Sequence, residues 1–150
     1  MQMNRKILVP MDGSENAEKA GEHAISLADE IGADIIVLYV IDTDYLKSIP
    51  QHQLREQTDE DLREEGKNAV KKFEGRIEEE KCEGKCKLVN ITSMMKEGKP
   101  ADVILKTIKE EGIDQVVMGK SVKHGIEKFV TENITEKVVK EAKVPVNVIS

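Results

Sequence analysis

The sequence predicts an α/β fold: a single-domain, doubly wound, parallel five-stranded sheet with helices on both faces. Apolar runs of strand length alternate with segments of helical period along the whole chain. The second run, Asp34 to Ile41, is apolar on both faces, as a parallel strand covered from two sides must be. Gly32 and Gly112 stand where the helical segments before them should end. A chain of 150 residues can bury a sufficient core, and no Gly/Ser or Pro tract divides it, so residues 1–150 are expected to form one domain.

The first strand is expected over Lys6 to Met11, a short apolar run. Asp12-Gly13-Ser14 then turns the chain, and Ser14 is a good N-cap. Ala17, Ala20, Ala24, Leu27, Ala28 and Ile31 follow at helical spacing up to Gly32. After the second strand, Asp42 to Gln57 is polar and contains Pro50, and it is expected to be irregular and to form a flap over the sheet's edge. A helix is predicted from about Asp59 to Lys81, with Leu62, Ala69, Phe73 and Ile77 as its buried stripe and its charged residues as a solvated face; a protein partner is the sharper use of that face.

Cys86 to Thr92 reads as the third strand, which places Met94 and Met95 in the loop after it, as packing filler or as pocket lining. Gly98-Lys99-Pro100 starts the next helix, with Pro100 in its first turn and Ala101, Ile104, Leu105 and Ile108 facing inward. The fourth strand is Asp114 to Met118, the last helix Phe129 to Ala142, and the fifth strand Val144 to Ile149. Pro145 cannot donate to a ladder, so the fifth strand is expected at an edge.

Composition narrows the function. The net charge of −6 argues against a nucleic-acid surface, which needs clustered positive charge. Aromatic residues are 3% of the chain and Trp is absent, so the core must be aliphatic. No apolar run approaches the roughly 18–20 residues of a membrane span, and Ile7 to Met11 is too short for a signal peptide. A cytoplasmic location is expected, with no membrane partner. Cys82 and Cys86 have no further Cys or nearby His to complete a zinc site; they are two small residues around a turn, or a local redox pair.

The segment most suggestive of chemistry is Met118-Gly119-Lys120-Ser121-Val122-Lys123-His124-Gly125, a basic Gly-containing loop after the fourth strand. In an open parallel sheet such a loop lies at the carboxyl edge, where ligands bind. Gly119-Lys120-Ser121 resembles the end of a P-loop, but the Gly required five residues earlier is Asp114. The dinucleotide signature is also absent after the first strand. Asp12 has two open roles: satisfying backbone donors in its turn, or accepting a hydrogen bond from a ligand amine or hydroxyl. His23 and His52 read as surface residues, and only His124 lies in the candidate loop. No nucleophile–base–orienter set stands out, so no catalytic residue is assigned.

Four segments, taken in order and spacing, resemble the universal stress protein (UspA-like) family over nearly the whole chain: Ile7-Leu8-Val9-Pro10-Met11-Asp12-Gly13-Ser14, Gly98-Lys99-Pro100-Ala101, Asp114-Gln115-Val116-Val117-Met118-Gly119 and Val144-Pro145-Val146-Asn147-Val148-Ile149. The resemblance implies strand order 3-2-1-4-5, an adenine-nucleotide site and a homodimer joined by antiparallel pairing of the last strands, Val144 to Ile149. It also implies a site formed by Pro10, Met11, Asp12, Val40, Met118, Gly119, Lys120, Ser121, Asn133 and Ile134, with Asp12 and Val40 at the adenine. The family's ATP-binding branch carries Gly-x2-Gly-x9-Gly-[Ser/Thr] after the fourth strand. Gly119 matches its first position, whereas Val122, Glu132 and Asn133 occupy the others.

Val122 brings a β-branched side chain where positive φ is costly. Glu132 brings negative charge towards phosphate, a repulsion of roughly a few kcal/mol at about 4 Å. Lys120, Ser121, Lys123 and His124 offer replacement contacts, and Asn133 can still donate. Two functions follow from the resemblance. One is a dimeric stress-response binding or regulatory module with a degenerate nucleotide loop. The other is a binder of ATP or AMP with Mg²⁺ through the basic variant loop, with at most slow ATP hydrolysis.

Overall fold

A computed structural model of the chain describes residues 5–120 and 133–150. The strands are β1 (Lys6–Pro10), β2 (Asp34–Asp42), β3 (Ile91–Gly98), β4 (Gln115–Gly119) and β5 (Val146–Ile149); the helices are α1 (Glu15–Ile31), α2 (Thr43–Lys47), α3 (His52–Cys82), α4 (Pro100–Glu110) and α5 (Ile134–Glu141). The sheet is parallel throughout, in the order β3-β2-β1-β4-β5. The chain winds outward from β1 in both directions, so β1 and β4 flank the point where strand order reverses. A crevice opens at that point, beyond the carboxyl ends of the strands.

Both faces of the sheet are covered. Ala17, Ala20, Ala24 and Ala28 of α1 join Val70, Phe73 and Ile77 of α3 against Val9, Val37 and Tyr39. On the other face Ile104 and Ile108 of α4 and Val138 of α5 pack on Leu8, Leu38 and Val116. Alternate residues of β1 and β2 serve opposite layers, which is why these strands read as continuous apolar runs. The small α1 residues let the helix lie close, and Gly21 meets Phe73: a Cβ at residue 21 would fall 2.6 Å from the ring.

Several boundaries differ from the sequence reading. The third strand is Ile91–Gly98, not Cys86 to Thr92. Cys86 has φ 54°, a left-handed conformation that ends any strand there, and its N–H donates to Asp29 Oδ1 at 2.9 Å. β3 is an edge strand whose exposed Thr92, Ser93 and Glu97 hide its strand character. Met94 and Met95 therefore belong to the strand and pack towards opposite layers.

The segment from Asp42 to Gln57 is not irregular throughout. Asp42 Oδ1 accepts from the Tyr45 N–H at 3.0 Å and caps α2, while α3 begins at His52. The early turns of α3 carry no apolar stripe and are held locally, with Arg55 Nε donating to Ile49 O at 3.1 Å and Thr58 Oγ1 to Leu54 O at 2.8 Å. β5 starts at Val146, after Pro145, and stands at the sheet edge. α5 starts at Ile134, capped by Asn133; residues 129–132, expected to open that helix, lie outside the described residues.

Ion pairs tie α3 to its neighbours. Arg76 holds Glu22 of α1 through Nε–Oε1 at 2.6 Å and Nη2–Oε2 at 2.8 Å, and Arg63 pairs with Glu97 of β3. The Arg76 hydrogen bond, aided by its charge and opposed by burial, holds the Glu22 carboxyl below its ordinary value. The folded state thus binds fewer protons at Glu22 than the unfolded chain does. The stabilisation is present above the ordinary value of 4.5 and is lost as pH falls through the lowered one. Glu22→Gln should flatten the acid limb of the stability profile and cost within about 1 kcal/mol at neutral pH, because the pair is half exposed. Thermal melts of both proteins across the acid range check this; parallel profiles would contradict it.

Candidate functional site

A cavity of about 440 Å³ opens at the carboxyl edge where β1, β2 and β4 end. That size lies within the ~300–1,000 Å³ range of small-molecule sites. Pro10, Met11, Asp12, Val40, Met118, Gly119 and Ile134 line it together, although they come from three strands, the turn after β1 and a helix. Asn133 and Lys120 adjoin it without lining it. Asn133 Oδ1 accepts from the Glu136 N–H at 3.2 Å as the cap of α5, and the Lys120 backbone N–H donates to Ile149 O at 2.8 Å. Ser121 and the rest of the basic loop, including Val122, Lys123, His124, Gly125 and Glu132, lie outside the described residues.

The turn after β1 shapes one wall. Gly13 has φ 81°, which only glycine adopts without strain. The Ser14 N–H donates to Asp12 Oδ1 at 2.8 Å, and the Ala17 N–H donates to Ser14 Oγ at 3.1 Å, capping α1. Asp12 therefore does satisfy a backbone donor. Its side chain is also exposed and faces the cavity, so the structural role does not consume both carboxylate oxygens.

Gly119 forms the opposite wall for a steric reason. A Cβ there would lie 2.5 Å from Asn16 C, 2.6 Å from Asn16 O and 2.7 Å from Ala17 N. The first turn of α1 lies against the backbone of β4's end, and Asn16 Nδ2 donates to Lys120 O at 3.1 Å to fasten it.

The sequence reading missed the residues that cover the cavity from β2, α2 and α3: Tyr39, Asp42, Tyr45, Leu62 and Glu65. The polar segment after β2 does reach over the edge, with Tyr45 carried there by α2. The available signal was that the chain has only two tyrosines, both here and both in or beside an aliphatic strand. Tyr39 is 4% exposed. Burial, and then the charges of Glu65 and Asp12, push its phenol up to about 12, so it is protonated at neutral pH.

The described lining carries three carboxylates (Asp12, Asp42, Glu65) and no Lys, Arg or His. Such a chamber suits a neutral ligand with hydrogen-bond donors and opposes a polyanion. Among the described residues no cluster of His, Cys, Asp or Glu is placed to hold a metal ion. His23 and His52 are exposed and do not line the cavity. Cys82 and Cys86 are free thiols. Burial first, and then Asp29 and Glu80 against a weaker opposing pull from Lys81 and Lys85, push the Cys86 thiol up, which lowers its reactivity.

Residues 3–150 match the model of the universal stress protein family. A universal stress protein of Methanocaldococcus jannaschii is 34% identical over 145 residues, covering 97% of this chain and 81% of that protein. The solved structure of a second universal stress protein of that organism superposes with a TM-score of 0.77 at 28% identity, covering 99% of this chain and 96% of the other. A family structure from Arabidopsis thaliana with AMP bound shares the fold, at a TM-score of 0.64 and 18% identity, covering 97% of this chain and 90% of that one.

Proposed function

Since the chain belongs to the universal stress protein family, we propose that it is a regulatory module that takes an adenine nucleotide by its nucleoside end and holds the outer phosphates of ATP weakly. One observation carries this reading. The cavity gathers Pro10, Met11, Asp12, Val40 and Met118 around a chamber that suits a nucleoside, and its described lining offers no cation for phosphate. The phosphates would then lie towards the segment after Gly119. There Val122 and Glu132 stand at positions where the family's ATP-binding branch has glycine. Lys120, Ser121, Lys123 and His124 supply partial replacement, and Mg²⁺ would arrive with the phosphates. The AMP-bound relative supports the ligand class.

The protein acts on this reading as a cytoplasmic homodimer. β5 is an edge strand, and Val148 on it is 40% exposed, so antiparallel pairing over Val144 to Ile149 would cover both the ladder groups and that side chain. No helix among the described residues is long and apolar enough to cross a membrane.

Calorimetry with AMP tests the nucleoside end. Asp12→Asn keeps an acceptor for the Ser14 N–H but removes the charge, and it should weaken AMP by roughly tenfold, in line with a hydrogen bond to a charged group. Unchanged affinity in Asp12→Asn, or no AMP binding by the unaltered protein, would contradict the proposal.

A further inference from the structure

No donor or acceptor among the described residues hydrogen-bonds the phenol of Tyr39, although the residue is 4% exposed. No buried polar side-chain atom among those residues is sealed away without a partner, so the hydroxyl opens onto the cavity that the ring lines. Phenylalanine would fill the same space without burying a polar group. A hydroxyl that opens onto the cavity with no partner among the described residues is free to hydrogen-bond whatever occupies it.

Its surroundings make it rigid and polar. Gly66 lies directly on the ring: a Cβ at residue 66 would fall 2.5 Å from Tyr39 Cδ1 and 2.6 Å from Cε1, so α3 holds the ring in place. Tyr39 sits on the α1/α3 side of the sheet, whereas Val40 packs on the α4/α5 side, so the cavity straddles the end of β2. On the Tyr39 side Glu65 reaches from α3 and its Oε1 lies 3.7 Å from where a Gly13 Cβ would be, while Asp12 approaches from the turn after β1. A fixed donor thus stands among acceptors that carry negative charge.

We propose that Tyr39, Glu65 and Asp12 form a hydrogen-bonding subsite that reads a neutral polar edge of the bound nucleotide, a group with an N–H or O–H donor beside an acceptor lone pair. Tyr39 donates to the lone pair, and the carboxylates accept from the donor. Phosphate has no such donor at neutral pH and is repelled by both carboxylates. Two parts of an adenine nucleotide have the required chemistry: the amine edge of the base and the ribose diol. The subsite rests on the nucleotide reading above and makes Tyr39 and Glu65 specificity-determining.

Calorimetry with AMP on Tyr39→Phe and Glu65→Ala tests it. Tyr39→Phe preserves the ring against Gly66, so its melting temperature should be unchanged or higher, while AMP binding weakens by roughly tenfold. Glu65→Ala should also weaken AMP. Its penalty should vanish with purine riboside 5′-monophosphate if the base amine is read, or with 2′,3′-dideoxy-AMP if the ribose is. Full AMP affinity in Tyr39→Phe overturns the subsite and leaves the nucleotide reading standing. A Glu65→Ala penalty that persists with both analogues also overturns it, because the effect is then indirect. An unaltered protein that binds no AMP overturns both.

Discussion

Gly119→Ala should lower stability by roughly 1–3 kcal/mol, the range of an overpacked interior, and should deform the ligand cavity as well. The new methyl would meet three backbone atoms of Asn16 and Ala17 at 2.5–2.7 Å. Backbone cannot rotate away as a side chain can, so α1's first turn must shift. That turn carries Ser14 and Ala17 on the cavity wall and the cap that starts the helix. The Asn16 Nδ2 bond to Lys120 O would lengthen with it. Denaturant melts check the stability loss, and a change below about 0.5 kcal/mol, the usual size of a surface effect, would contradict it. The glycine that suggested phosphate contact from the sequence has a structural duty that precedes any ligand.

Restoring the two missing glycines should act in the opposite direction, on affinity. Val122→Gly with Glu132→Gly should strengthen ATP binding by at least about tenfold, since each 1.4 kcal/mol is one decade and the repulsion removed is of that order or larger. Glycine at both positions frees backbone amides to approach the phosphates and removes one negative charge. AMP affinity should change much less, because the proposed function puts its adenosine at the Asp12 and Val40 end. Equal gains for AMP and ATP would mean that these positions govern the site as a whole. No gain for either would rule out the two lost glycines as the cause of weak phosphate binding.

Much of the fold was legible because burial on two faces leaves a plain signature. β1, β2 and β4 are continuous apolar runs, and α1 and α4 show helical stripes closed by Gly32 and Gly112. β3 was not legible. An edge strand needs little apolar surface, so Thr92, Ser93, Lys96 and Glu97 resemble a loop, while the buried Cys86 and Val89 beside them resemble a strand. The opening of α3 escaped notice for a similar reason: residues 52–58 contact no core, and local bonds sustain them.

The site divides in the same way. Residues at strand ends, Asp12, Val40, Met118 and Gly119, follow from topology, since every parallel strand delivers its last residues to one edge. Tyr45 and Glu65 do not follow, because α2 and α3 bring cover to that edge from a segment whose docking no local pattern encodes. Tyr39 looked like one more core residue of an apolar strand. Only the fold shows that it lines the cavity and that Gly66, lacking a side chain, leaves room for its ring.

The proposed site joins an intact nucleoside end to a weakened grip on the outer phosphates. The most direct test is calorimetry of the unaltered protein with AMP and with ATP, each in Mg²⁺ at the same ionic strength. Both should bind, with ATP at most about tenfold tighter than AMP, a gain of no more than roughly 1.4 kcal/mol from two further phosphates. ATP binding about a hundredfold or more tighter than AMP would show a fully working phosphate loop and would contradict the weakened grip.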